Sequence, residues 1–147
     1  MRTMETIEIT LGGKTHPICF GQGALARTGE VLRGLGVGKT VAVVSNAVIR
    51  RLYGPTLEAS LADAGFTPRF IEMPDGECYK TIETLGGLYE QFLAAGLDRG
   101  SCVVALGGGI VGDVAGFAAA TYMRGVALVQ VPTTLLAQID SSIGGKT

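Results

Sequence analysis

Residues 101–147 read SCVVALGGGIVGDVAGFAAATYMRGVALVQVPTTLLAQIDSSIGGKT, and this stretch decides the fold. An apolar run, 101–106, reads as a buried strand. Three glycines follow it and open a small-residue helix pattern that carries one acid, Asp113. A second apolar run, 126–131, ends in Pro132-Thr133-Thr134. Strand, glycine turn, helix and strand in that order make a βαβ unit of the kind that cradles phosphate. The string Gly107-Gly108-Gly109-Ile110-Val111-Gly112 satisfies G-x-G-x-x-G. Bare amides at the helix start, together with the positive end of its dipole, suit a pyrophosphate. The acid that usually ends the next strand of a dinucleotide-binding unit is missing, since Val131 and Pro132 stand there. A ribose partner must therefore come from another strand exit, and Asn46, Glu77 and Lys80 are the candidates. Asp113 is read in the first turn of the helix, either complementing its dipole or meeting a ligand hydroxyl.

Working outward, the chain alternates strands and helices. Residues 6–11 and 16–20 form a hairpin about Gly12-Gly13. Residues 24–33 form a short helix ended by Gly34 and Gly36. Residues 40–45 (TVAVVS) are a buried strand. Residues 47–64 are helical, with a break at Gly54-Pro55 where the proline restarts the helix. Residues 67–73 make a strand that exits at Pro74-Asp75-Gly76-Glu77. Residues 81–95 form an amphipathic helix whose apolar positions are Ile82, Leu85, Leu88, Tyr89 and Phe92. A last helix begins near Thr133 with a threonine cap. This order predicts an α/β fold, with a doubly wound, mainly parallel, Rossmann-like sheet preceded by an N-terminal β-hairpin. Ligands of such sheets lie beyond the carboxyl ends of the strands. Asn46, the PDGE loop with Lys80, the glycine cluster and the Thr133-Thr134 pair mark four such exits. Each alone is ordinary turn chemistry; together they point to one ligand lying across the edge.

Composition narrows the function. In 147 residues, 47% are hydrophobic and 17% charged, which excludes disorder. A net charge of −1 from 12 basic and 13 acidic residues, without a basic stripe, argues against nucleic acid as a partner. No signal peptide opens the chain. The run 101–123 is long and apolar, but Asp113 and the triple glycine argue against a membrane span. Three scattered cysteines, Cys19, Cys78 and Cys102, fit reduced thiols in a cytoplasmic protein, with Cys19 and Cys102 as small core residues. The closing GGKT is not a P-loop, because the first glycine of that motif would fall on Asp140. Asp140, Ser141 and Lys146 instead suit contact with a polar, anionic substrate.

The segments PDGECYK (74–80), GGGIVGDVAGFAAATYMRG (107–125) and VPTTLLAQIDSSIGGKT (131–147) resemble the 3-dehydroquinate synthase family. Other sugar-phosphate cyclases share the glycine loop and PTTL but depart around YMRG and SSIGGKT. Polyol dehydrogenases share the architecture and match less well. The resemblance implies a cytoplasmic enzyme of aromatic amino acid biosynthesis that uses NAD transiently. A ring hydroxyl of 3-deoxy-arabino-heptulosonate 7-phosphate is oxidised, phosphate is eliminated, the carbonyl is reduced back, and the ring opens and recloses to 3-dehydroquinate. It implies cofactor contacts at Asn46, Glu77, Lys80, Gly108, Gly109, Asp113, Thr133 and Thr134. Position 46 is often aspartate in relatives. Asp140 and Lys146 would contact substrate, and Arg124 would bind phosphate across a homodimer interface. A divalent metal, zinc or cobalt, is held in the family by one glutamate and two histidines of a C-terminal helical domain. The single histidine here, His16, lies in the hairpin, so residues 1–147 are read as the N-terminal NAD-binding portion, inactive by itself. A stand-alone nucleotide-binding module without catalysis is the second reading.

Overall fold

The computed structural model describes residues 4–145. Strands β1 (Glu5–Leu11) and β2 (Lys14–Phe20) pair antiparallel from Glu5↔Phe20 to Leu11↔Lys14. Gly12 and Gly13, at φ 56° and 78°, turn the hairpin in a conformation that needs positive φ at both positions. The pair forms a sheet of its own. A 3₁₀ turn, Ala24–Arg27, leads into α1 (Thr28–Leu35), which stops at the left-handed Gly36. The predicted alternation then follows: β3 (Thr40–Ser45), α2 (Ala47–Asp63), β4 (Thr67–Glu72), α3 (Ile82–Ala94), β5 (Cys102–Gly107), α4 (Gly109–Thr121) and β6 (Ala127–Pro132).

The four later strands form one parallel sheet in the order β4-β3-β5-β6. Alternate residues feed two cores. Val41, Val43, Cys102, Val104 and Leu106 pack with Leu32, Leu57 and Leu61 of α1 and α2. Ala42, Val44, Val103 and Ala105 pack with Leu85, Leu88, Phe92, Val111 and Ala115 of α3 and α4. Helices thus cover both faces, which explains why β3 and β5 read as unbroken apolar runs.

Three expectations change. Helix α2 runs through Pro55 without restarting. Ile49 on one side of the proline, and Leu57 and Leu61 on the other, pack against the same core and hold both halves in line. Ile82 is 76% exposed, because it opens α3 before the helix reaches the core. The last helix is a single π-type turn, Ala137–Ser141, capped by Thr134, whose hydroxyl accepts the Ala137 N–H at 3.2 Å. Of the cysteines, Cys102 is buried, Cys19 half-buried and Cys78 exposed. Burial pushes the Cys102 thiol up to about 12. No helix among the described residues is long and apolar enough to cross a membrane.

Candidate functional site

Because the four strands are parallel, their carboxyl ends share one edge, and all four predicted exits lie along it. The connections reverse between β3 and β5, the switch point at which ligands of such sheets settle. Here the strand ends are tied together. The fully buried Ser45 hydroxyl donates to the Leu106 carbonyl at 2.8 Å. The Met73 N–H donates to the Ser45 carbonyl at 2.9 Å, and the Thr133 N–H to the Gly107 carbonyl at 2.9 Å.

The β5–β6 half of the edge is shaped by missing side chains. A Cβ on Gly107 would lie 2.7 Å from Val111, and one on Gly112 would lie 2.8 Å from Gln130 Oε1. Gln130 also donates from Nε2 to the Gly112 carbonyl at 3.2 Å, which fastens α4 to β6. Gly108 occupies the N-cap of α4 and supplies no side-chain acceptor. The first-turn amides of α4 therefore have no side-chain cap. A Cβ on Gly108 would meet Thr134 at 3.1 Å, and one on Gly109 would meet Ser141 at 3.1 Å. Gly108, Gly109, Thr134 and Ser141 thus pack closely together. Beside them the Thr133 hydroxyl is buried and has no hydrogen-bond partner. A buried hydroxyl in that state calls for an acceptor or donor from outside the chain.

The β3–β4 half is built from polar side chains. Asn46, 7% exposed, caps α2 by accepting the Ile49 N–H on Oδ1 at 2.9 Å. Its Nδ2 donates to Asp75 Oδ1 at 3.3 Å. An open cleft of about 330 Å³ lies between these exits, lined by Asn46, Glu72, Met73 and Asp75 among others. Lys80 reaches from the β4 exit to Asp113 Oδ2 at 2.8 Å and to Glu77 Oε1 at 3.2 Å. The Asp113 carboxylate holds the Lys80 ammonium above the usual lysine range. Asp113 is the fifth residue of α4 and so lies beyond its first turn. The dipole reading of Asp113 therefore fails, and its charge is complemented by Lys80.

The structure thus brings Asn46, Glu77, Lys80, Gly108, Gly109, Asp113, Thr133 and Thr134 to one edge. Asp140 lies in the π-type turn that follows Thr134. Lys146 lies outside the described residues. Arg124 stands apart, in the turn after α4. That helix is 13 residues long, so its two ends lie about 20 Å apart, with the glycine turn at one and Arg124 in the turn after the other. Met123 and Arg124 both take positive φ, 50° and 70°. Sequence reading missed Ser45, Gln130 and Asp75 as builders of the edge. Asp75 had a signal in the Asp-Gly turn; the partners of Ser45 and Gln130 become visible only with the strand order. Among the described residues no group of three or more His, Cys, Asp or Glu side chains is placed to hold a metal ion.

Over residues 70–147 the chain matches the family model described as 3-dehydroquinate synthase N-terminal. The chain belongs to the 3-dehydroquinate synthase family. It is 57% identical over 143 residues to a 3-dehydroquinate synthase of Pelotomaculum thermopropionicum, covering 97% of this chain and 38% of that protein. To the 3-dehydroquinate synthase of Geobacter metallireducens it is 54% identical over 144 residues, covering 98% of this chain and 40% of the relative. The chain therefore spans about two fifths of the length of these synthases. Among solved structures it is similar to 2-deoxy-scyllo-inosose synthase complexed with carbaglucose-6-phosphate, NAD+ and Co2+. The TM-score is 0.83 at 29% identity, covering 93% of this chain and 38% of that one.

Proposed function

We propose that this chain is the dinucleotide-binding portion of a 3-dehydroquinate synthase and that its ligand is NAD. One observation carries the reading. At the switch point a glycine-lined helix start without a side-chain cap, a buried hydroxyl without a partner and a charged Lys80–Asp113 pair converge on the same edge. This chemistry suits a dinucleotide. The uncapped amides of Gly109 and its neighbours fit the pyrophosphate, with Gly108 and Gly109 letting Thr134 and Ser141 pack close beside them. Thr133 offers its hydroxyl, Thr134 borders the glycines, and Asp113, Lys80 and Glu77 fit ribose hydroxyls. The similarity to a structure solved with NAD+ supports the assignment.

When bound, the nicotinamide supplies a reversible hydride acceptor. The residues of this chain bind and orient. Lys80 stays protonated and, through Asp113, fixes the β4 exit against α4. Asp140 and Lys146 are proposed to meet the polar substrate, the phosphorylated sugar acid of the family's reaction. The described residues do not form a site for the divalent metal that the resemblance implies. Arg124 is proposed, following the family resemblance, to bind the substrate phosphate across a homodimer interface. The reaction itself belongs to the full-length protein, and cytoplasmic placement accords with the unpaired cysteines.

The test is calorimetric titration of NAD into the full-length protein and its Gly109→Val variant. The variant should bind about tenfold more weakly or worse, because a side chain at 109 meets Ser141 at 3.1 Å and displaces the turn that presents the amides. Equal affinity in the two proteins rejects the assignment.

A further inference from the structure

The acid that selects an unphosphorylated ribose in many dinucleotide sites is a carboxylate at a strand end. In this chain position 46 is asparagine, and its side chain is already engaged. Oδ1 must face the Ile49 N–H, since only an oxygen can accept that bond, so Nδ2 is compelled to face outward. What it faces is a carboxylate, Asp75, at 3.3 Å. Were residue 46 an aspartate, two carboxylates would stand at that distance, an arrangement that disfavours charge on both. Asparagine at 46 therefore sets an amide, and not a second carboxylate, against the Asp75 carboxylate that the neighbouring strand supplies beside the β3 exit.

We propose that Asp75, held by Asn46, is the specificity-determining residue that favours NAD over NADP. The inference rests on the nucleotide reading given above and adds to it the group that rejects a 2′-phosphate. The cleft at this corner is lined by the carboxylates of Glu72 and Asp75 and by no lysine, arginine or histidine. The nearby cations are already paired, Arg50 with Glu72 of this cleft, so among the described residues Asp75 is the carboxylate of the cleft left without a cation. Arg50 is bonded to Glu72 at 2.7 Å and lies over the Phe70 ring, while Lys80 is bonded to Asp113 and Glu77. A ribose diol can donate to the Asp75 carboxylate; a phosphate dianion in its place meets like charge with no cation to offset it.

The experiment measures NAD and NADP dissociation constants on the full-length protein, its Asp75→Ser and Asn46→Ser variants, and each at low and high salt. Thermal unfolding confirms that the variants fold. Wild type should prefer NAD, and the preference should shrink as salt screens the exposed carboxylate. Asp75→Ser should reduce the NAD-to-NADP ratio by about tenfold, mainly by tighter NADP binding. Serine at 46 still caps α2 but no longer holds Asp75, so the ratio should fall by a smaller factor. An unchanged ratio in Asp75→Ser, with NAD still bound, overturns the role of Asp75 and leaves the NAD reading standing. An unchanged ratio in Asn46→Ser overturns the part given to Asn46. Wild type that binds neither nucleotide overturns the nucleotide reading and this inference together.

Discussion

The two halves of the sheet edge are built by opposite means. At β5 and β6 the backbone is brought close by removing side chains: Gly107 against Val111, Gly108 against Thr134, Gly109 against Ser141 and Gly112 against Gln130. At β3 and β4 the edge is filled with side chains that hold one another: Asn46 with Asp75, and Lys80 with Asp113 and Glu77. One half is governed by repulsion between atoms at short range and the other by charge and hydrogen bonding. The difference teaches that a single surface can fail in two distinguishable ways. Steric failure is indifferent to salt and pH, whereas electrostatic failure follows both.

The largest effect is expected in the glycine half. Gly107→Val must place a Cβ 2.7 Å from a buried Val111 side chain, with strand and helix both fixed. Overpacking of this kind costs about 1–3 kcal/mol, read as a fall in the urea midpoint that is the same at low and high salt. A fall that depended on salt would break the comparison. Lys80→Met should have a smaller effect. The pair is partly exposed, so removing it costs at most about 1 kcal/mol. Because the Lys80 pKa is raised in the fold, its contribution is complete at neutral pH. It disappears only as pH climbs through and beyond the usual lysine range. Stability curves of wild type and variant should therefore converge at strongly alkaline pH and in high salt. Parallel curves would show that Lys80 acts by packing alone. The smallest effect is expected at the thiols. Cys78, which is exposed, should be alkylated at pH 8 with no change in melting temperature. Cys102, with its thiol pushed up to about 12, should stay unmodified until the protein unfolds. Rapid labelling of Cys102 in the folded protein would show that the core opens more freely than its packing implies.

The parts of the fold that were legible in sequence are those set by local pattern. Thr40–Ser45 was read with its exact limits because both its faces are buried and no residue interrupts it. The hairpin was legible from its glycine pair. Where the reading failed, a tertiary contact had overruled a local rule. Pro55 looked like a restart, but apolar residues on both sides of it engage a single core. Asp113 was read as a first-turn acid, but α4 begins at Gly109 and Asp113 is its fifth residue, paired with Lys80. The site residues were legible one exit at a time. Their partners were not, since the Lys80–Asp113 pair joins residues 33 apart and Ser45–Leu106 joins residues 61 apart. Such pairs depend on the strand order.

That strand order has a consequence for how the protein is made. Strand β3 pairs with β4 on one side, and both strands belong to the first half of the chain. Its other neighbour is β5, beginning at Cys102. During synthesis from the N-terminus, the growing chain must hold Thr-Val-Ala-Val-Val-Ser with one edge unpaired until more than fifty further residues have been added. An apolar edge in that condition is a template for another nascent chain. The parallel pairing of Val41–Val44 with Cys102–Ala105 closes that edge, so the completion of β5 brings the strand ends of the crevice together and ends the period of greatest exposure to aggregation in the same step.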